Sequence, residues 1–208
     1  LNFKYWSVFF KRNINKIRDP FIINNFFQRF KRRENRIYLL LDPFNKKKIS
    51  SPTFPQRQSA LTVLYYRQNF FRGVSETLDN LKCKYILDIG ANIGYYSRAY
   101  SFFGQNLEII SIEPDLMNVS FLAKNLSDRL NVQIFHMGLS NEFGRFKLKL
   151  PEYASKWKNE RKYMTGLYSA CGNSSKTGTR FTSGDTFLDF IKINPIDVGW
   201  IKVDVEGF

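Results

Sequence analysis

The sequence contains one histidine, His136, and two cysteines, Cys83 and Cys171, among its 208 residues. A single histidine excludes a histidine-rich metal cluster and argues against a Ser/His/Asp hydrolase. The two cysteines lack the paired spacing of a zinc site and form no disulfide framework, which is typical of a reducing, cytoplasmic compartment. No apolar run approaches the ~20 residues of a membrane-spanning helix. We therefore expect neither a bound metal nor a transmembrane segment.

Acidic residues are also scarce, since 18 Asp and Glu stand against 32 Lys and Arg. The resulting net charge of +14 favours an anionic partner such as nucleic acid, a membrane surface or an acidic substrate. A compositional drift toward Lys, Asn, Ile and Phe explains the same charge without any partner. A hydrophobic content of 43% is enough for one globular domain with an appended segment.

Residues 1–57 form a basic, aromatic-rich N-terminal extension. Apolar side chains recur at helical spacing on both sides of Pro20, which predicts two short amphipathic helices. Such helices could make a weak membrane-surface or nucleic-acid contact, or they could simply pack on the domain that follows. Within the extension, "LDPF" at 41–44 is interpreted as a turn and "SSPTFPQ" as a linker.

Residues 58–208 alternate between buried strands and amphipathic helices. A helix from Gln58 to about Leu81 precedes the order strand, helix, strand, helix, strand, and "VGWIKVDV" begins a fourth strand. This pattern predicts a three-layer, Rossmann-like α/β fold whose parallel strands lie in the spatial order 3-2-1-4. "GRFKLKL" is predicted to be a half-exposed strand, and Pro151–Arg180 a lid or binding loop.

The stretch "YILDIGANIGYYS" joins the first strand to a helix through a glycine turn. It lacks the second glycine with which a dinucleotide site approaches pyrophosphate, and Asp88 would repel phosphate and attract an amine. Glu113 follows the second strand 19 residues after Gly94, where a carboxylate can accept both hydroxyls of a ribose. S-adenosylmethionine fits these requirements, because it carries an ammonium group and a ribose but no phosphate. A domain of the same fold without a cofactor is the alternative.

A side chain at Gly94 is expected to project into this cofactor, so that Gly94→Val would abolish binding and leave the fold nearly intact. The competing interpretation is that Gly94 lets the helix pack closely on its neighbours.

From Tyr85 to Phe208 the chain resembles the FkbM-type methyltransferases. The motifs that carry the resemblance are "ILDIGANIGYYS", "SIEPD", a Gly-Leu-Ser after the third strand, "DTFLDFI" and "IDVGWIKVDVEGF". The resemblance implies a class I S-adenosylmethionine-dependent methyltransferase that acts on a hydroxyl of a sugar, glycan or small metabolite. It also implies further strands after D-V-E-G, which this sequence lacks. The cofactor-binding residues that we expect are Asp88, Gly90, Ala91, Asn92, Gly94, Glu113, Pro114 and Gly138.

Methyl transfer to an alcohol requires alignment and a group that takes the proton. Asp204 and Glu206 end the fourth strand and are the candidate catalytic acids, although Asp204 could instead support the cofactor or the turn. His136 ends the third strand, where a structural or adenine-edge role is expected. Two other functions stay open, namely methylation of RNA or another polyanion and a cofactor- or partner-binding module without turnover.

Overall fold

We analysed a computed structural model, which describes residues 38–52, 54–149, 169–173 and 178–205. These residues form ten strands and five α-helices. The strands are β1 (Tyr38–Leu41), β2 (Lys48–Ser51), β3 (Tyr85–Ile89), β4 (Glu108–Glu113), β5 (Val132–His136), β6 (Gly138–Leu139), β7 (Gly144–Lys149), β8 (Ser169–Asn173), β9 (Thr179–Thr182) and β10 (Val198–Val203). The helices are α1 (Phe54–Leu61), α2 (Gln68–Leu81), α3 (Tyr95–Phe103), α4 (Leu116–Leu126) and α5 (Gly184–Phe190).

The central sheet consists of four parallel strands in the order β10-β3-β4-β5. This confirms the predicted order 3-2-1-4, with β10 at an edge of the sheet. Residues on both sides of β3 and β4, such as Ile86, Leu87, Ile109 and Ile110, are almost fully buried. Burial on both faces is typical of central parallel strands that are covered by helices.

Helices cover both faces of the sheet. Ile86 and Ile109 share one apolar cluster with Phe71 and Leu78 of α2. On the other face, Ile110 packs in a cluster with Phe187 of α5. The three-layer α/β architecture is therefore confirmed, and a five-residue π-helical segment continues α1 toward α2.

Strands β1 and β2 form an antiparallel hairpin that the sequence did not predict. Its turn follows "LD" at 41–42, as expected for "LDPF", but Asp42 is fully buried and forms an ion pair with the equally buried Arg98 of α3. Asn125 of α4 exchanges two hydrogen bonds with the backbone of Ser50, at 2.8 and 2.9 Å. The hairpin is thus held on the sheet domain by charge and hydrogen bonds.

These contacts change two interpretations of the N-terminal region. Residues 51–56 are not a linker, because β2 runs to Ser51 and α1 begins at Phe54. Residues 38–52 pack with the sheet domain and belong to the same compact unit. The predicted helices of residues 1–30 lie outside the described residues, and the separate character of that segment stays a prediction.

A second, smaller sheet follows the third parallel strand, in the order β6-β9-β7-β8. β7 is half-exposed as predicted, since Phe146 is buried while Arg145 and Lys147 are exposed. The stretch Pro151–Arg180 is not a loop throughout, because it contains β8 and the start of β9. Polar residues in these strands hid their periodicity, and pairing with β7 and β6 decides their conformation.

Candidate functional site

The carboxyl ends of β3, β4 and β10 meet around the glycine turn that follows β3. The backbone N–H of Asp204 donates to the carbonyl of Ile89 at 3.0 Å, which fixes the end of β10 beside the turn. The N–H of Asn92 donates to Glu113 Oε2 at 2.8 Å, which attaches the turn to the end of β4. The predicted site residues of three separate strands therefore share one edge of the sheet, where open α/β sheets bind their ligands.

Gly90 allows this close approach. Its φ angle is +73°, and a Cβ added there would collide with the backbone carbonyl of Asp204. Glycine is therefore required both for the left-handed conformation and for the close contact between the turn and the backbone of Asp204. Asn92 also has a positive φ, +52°, which asparagine tolerates better than most residues.

Gly94 does not act as the sequence suggested. It precedes α3 with φ +88°, and a Cβ there would lie 2.5 Å from Leu122 Cδ1 and 3.2 Å from Leu126 Cδ1. The prediction that a side chain at Gly94 would project into the ligand is wrong, because the added atom would enter the apolar contact with α4. The competing interpretation, close packing of the helix, is the one that the geometry supports.

Glu113 is the most strongly perturbed carboxyl group of the site. Its side chain is 5% exposed, and burial raises its pKa from 4.5 to about 7, against three hydrogen bonds that lower it. Oε1 accepts from the backbone N–H of Asp115 at 2.9 Å and from Asn118 Nδ2 at 3.2 Å. Among the described residues, Oε2 accepts only from Asn92, so this oxygen retains capacity for another donor.

Asp88 is fully buried and already has partners from the protein. The hydroxyl of Ser97 donates to Oδ2, and Ser111 Oγ donates to Ser97 Oγ at 2.8 Å. Lys202 Nζ lies 3.1 Å from Oδ1, yet that oxygen accepts no hydrogen bond from the part of the chain that the structure describes, so this contact is an ion pair with poor hydrogen-bond geometry. A ligand amine that is attracted to Asp88 would therefore meet Lys202 beside it.

Lys202 is a site residue that the sequence analysis missed. Its ammonium group donates to the carbonyl of Gly90 at 2.9 Å, lies 3.5 Å from Asp204 Oδ2, and sits 5.0 Å from the centre of the Tyr96 ring. The signal was present in the sequence, because the predicted fourth strand has Lys202 and Asp204 two residues apart, where side chains of a strand point to the same side; the observed β10 ends at Val203, one residue before Asp204. The ammonium group of Lys202 thus lies between two carboxylates, those of the buried Asp88 and of the candidate catalytic acid Asp204.

Asp204 is the carboxylate of this group that faces solvent, with its side chain 63% exposed. Burial raises the pKa of the neighbouring Tyr95 phenol, and the charges of Asp204 and Asp88 add to that effect. The second candidate acid, Glu206, lies outside the described residues and stays a prediction.

Two predicted cofactor residues have packing roles in the structure. Ala91 is buried in a cluster with Leu122 and Leu126. Gly138 belongs to β6, and a Cβ there would collide with the ring of Phe181. Both residues follow strands of the central sheet, but close packing inside the protein explains why their side chains are small.

Pro114 and His136 stand at the ends of β4 and β5. The carbonyl of Pro114 lies 3.1 Å from His136 Nε2 and accepts from Thr179 Oγ1 at 2.9 Å. This contact supports the structural role that was expected for His136. It also ties β9 of the small sheet to the loop after Glu113.

Gln56 of α1 covers the turn from the N-terminal side. Its Nε2 donates to Asn92 Oδ1 at 2.7 Å and to Asn118 Oδ1 at 3.2 Å, and the residue is 7% exposed. No sequence signal marked it, because the segment was interpreted as a linker. The contact places α1 next to the hydrogen bonds that Glu113 makes.

Within the described residues, no group of three or more His, Cys, Asp or Glu side chains could hold a metal ion. Among the helices of the same part of the chain, none combines the length and the apolar character needed to cross a membrane.

No protein-family model and no curated protein matches the sequence. Solved structures with a similar fold include Pyrococcus horikoshii TYW2 in complex with MeSAdo, which is 15% identical, with 55% of this chain and 40% of that chain covered and a TM-score of 0.39. A putative Plasmodium falciparum protein-L-isoaspartate O-methyltransferase in complex with S-adenosyl-L-homocysteine is 17% identical, with 61% and 59% covered and a TM-score of 0.30.

The hMettl16 catalytic domain in complex with an RNA hairpin is 15% identical, with 86% of this chain and 72% of that chain covered and a TM-score of 0.34. The chain thus spans less than half the length of TYW2 and less than two thirds of the Plasmodium protein. At TM-scores below 0.5 these likenesses do not bear on function. The fold assignment rests on the strand order and the helix layers described above.

Proposed function

We propose that this chain binds S-adenosylmethionine at the carboxyl ends of β3, β4 and β10 and belongs to the S-adenosylmethionine-dependent methyltransferases. The observation that carries the proposal is the meeting of Glu113 and Asp204 around a glycine turn without a phosphate-binding glycine pattern. Two carboxylates suit a ligand with a ribose and positive charge, and they disfavour a nucleotide phosphate.

The residues fit the cofactor at two positions. Glu113 Oε2 has a free acceptor direction for a ribose hydroxyl. Asp88 is fully buried and ion-paired with Lys202 at 3.1 Å, so the solvent-facing Asp204 is the carboxylate that a ligand ammonium group can reach. Asp88 acts on the ligand indirectly, because it holds Lys202 beside Asp204.

When bound, S-adenosylmethionine supplies an electrophilic methyl group on a sulfonium. The protein aligns the acceptor and receives its proton. Asp204 is the proposed proton acceptor or hydroxyl ligand, and Lys202 holds it through the 3.5 Å contact. Glu206 is the second proposed acid, two residues further along the chain.

For the acceptor, the resemblance to FkbM-type enzymes favours a hydroxyl of a sugar, glycan or small metabolite. The alternative is RNA or another polyanion. The four exposed cations on β7 and β9 of the small sheet favour such a partner. A cofactor-binding module without turnover would bind S-adenosylmethionine but methylate neither class of acceptor.

Titration calorimetry with S-adenosylmethionine and S-adenosylhomocysteine tests the proposal. We expect both ligands to bind, and ATP and NAD to bind much more weakly, because the turn lacks the second glycine with which a backbone approaches pyrophosphate. Glu113→Ala should weaken S-adenosylmethionine binding by about 1.5–3 kcal/mol, the range for charge-assisted hydrogen bonds. Tighter binding of ATP or NAD than of S-adenosylmethionine would refute the proposal.

Formation of S-adenosylhomocysteine in the presence of candidate acceptors then measures turnover. Asp204→Asn should abolish it while retaining most of the cofactor affinity. Glu142→Gln, which changes an exposed carboxylate of the loop before β7, is the matched control. Binding without product for every acceptor class would assign the chain to the binding modules.

A further inference from the structure

The four strands of the small sheet contain four cationic residues and no acidic one. Their sequences are GL, GRFKLK, SACGN and TRFT. The cations are Arg145, Lys147 and Lys149 of β7 and Arg180 of β9, and all four are exposed.

These cations share one face of the sheet. Exposure alternates along β7, so that Arg145, Lys147 and Lys149 point away from the buried Phe146. Arg180 is the register partner of Arg145 on the antiparallel strand β9 and therefore lies on the same side. Phe146 and Phe181 pack on the opposite, buried face, with ring centroids 5.1 Å apart.

Placing two arginines directly opposite each other is unfavourable unless an anion lies between them. Arg145 Nη1 is oriented by a 3.0 Å hydrogen bond to the carbonyl of Gly178, immediately before β9. Two neighbouring guanidinium groups match the geometry of a phosphate, which they can bind in a bidentate manner. Lys147 and Lys149 then continue the row at intervals of about 6.8 Å, twice the rise per strand residue.

The small sheet is connected to the edge of the central sheet that holds the proposed methyl-donor site. One residue separates the end of β5 from β6, which pairs with β9. Thr179 of β9 donates to the carbonyl of Pro114, the residue that follows Glu113. Because Thr179 and Arg180 are neighbours on a strand and point to opposite faces, this contact lies on the face of the small sheet opposite the cations.

We propose that the face formed by Arg145, Lys147, Lys149 and Arg180, the cationic face, binds the phosphate backbone of a single-stranded nucleic acid. The opposed arginines favour phosphate, and the row of lysines favours a polymer with repeating charge over a single phosphate. The docking surface stands on the charges of the sheet and does not depend on the proposed methyltransferase function.

Fluorescence anisotropy with a labelled single-stranded oligonucleotide of about 15 nucleotides tests the docking. Each phosphate contact to a single strand contributes about −0.7 to the slope of log affinity against log salt. Because Arg145 and Arg180 share one phosphate, replacing both by alanine should reduce the magnitude of the slope by about 0.7. Charges elsewhere in the chain contribute to every variant equally, so the difference between slopes isolates the two arginines.

The matched control replaces Lys48 of β2 and Lys124 of α4, two exposed lysines outside the small sheet. It removes the same net charge and should leave the slope within about 0.3 of the wild type. Equal slopes for the wild type and the arginine variant would overturn the proposal. So would equal reductions in the two double variants, since they would reflect net charge and not this face.

Two further experiments distinguish nucleic acid from other polyanions, and the docking surface from the proposed methyltransferase function. Heparin or phosphatidylserine vesicles that bind more tightly than the oligonucleotide, with the same loss on replacing the arginines, would overturn the choice of nucleic acid. Calorimetry with S-adenosylmethionine should give the same affinity for the arginine variant and the wild type. Oligonucleotide binding that depends on the arginines in a protein that binds no S-adenosylmethionine would refute the methyltransferase and retain the docking surface.

Discussion

Replacing Glu113 by glutamine removes the titrating group on which the proposed ribose contact depends. Burial raises the pKa of Glu113 to about 7, so the carboxyl group is mostly protonated at pH 6 and mostly ionised at pH 8. If ribose hydroxyls donate to the ionised form, the apparent dissociation constant is inversely proportional to the ionised fraction, which is about 0.09 at pH 6 and about 0.9 at pH 8. S-adenosylmethionine should then bind about tenfold more tightly at pH 8 than at pH 6.

The stability of the unliganded protein should change in the opposite direction. The folded protein binds the Glu113 proton more tightly than the unfolded chain does, because the pKa rises from 4.5 to about 7 on folding. Stability from this group is fully present below pH 4.5 and is lost as pH rises through 7. The full loss is about 3 kcal/mol, since each pKa unit corresponds to about 1.36 kcal/mol.

Calorimetry and urea unfolding across pH 5 to 8 measure both effects in the same protein. Glu113→Gln should flatten both pH profiles relative to the wild type, although its amide leaves one backbone donor without a good acceptor, at about 1–3 kcal/mol. Glu76→Gln, at an exposed position of α2, should leave both profiles unchanged. A tenfold pH dependence of binding that persists in Glu113→Gln would refute the ribose contact.

The other predictions concern the packing and the charges around the turn. Gly94→Val should lower the free energy of unfolding by several kcal/mol, because its Cβ would meet Leu122 and the backbone has a positive φ; an unchanged melting temperature would contradict this packing role. Arg98→Leu should destabilise the protein by about 3–5 kcal/mol in urea unfolding, because it leaves Asp42 charged and buried; adding Asp42→Asn should recover part of the loss, and no recovery would argue against the pair. Lys202→Met should reduce turnover more than cofactor affinity if Lys202 positions Asp204, whereas Lys202→Arg should retain part of the activity; equal effects of the two variants would indicate a purely structural role.

Local sequence determined the central sheet and the place of the site. Apolar runs bounded by glycine and acidic residues marked β3, β4 and β10, and the strand order follows from crossover rules that hold for any chain of this pattern. Because parallel strands end at one edge of a sheet, the acids at their ends were certain to lie near each other. The sequence could therefore predict that Asp88, Glu113 and Asp204 lie close together, whereas their roles toward a ligand stay predictions.

Contacts between residues distant in sequence decided the rest. Arg98 pairs with Asp42 across 56 residues, and Lys202 reaches the carbonyl of Gly90 across 112. Neither pairing is visible in the hydrophobic periodicity of the sequence. Each involves a single polar side chain, and the packing of the helices and strands decides which partner it meets. The direction of a Cβ at Gly94, toward Leu122 and away from a ligand, likewise depends on the positions of α3 and α4. Periodicity specifies which side of an element is buried, and only the packed structure specifies what it is buried against.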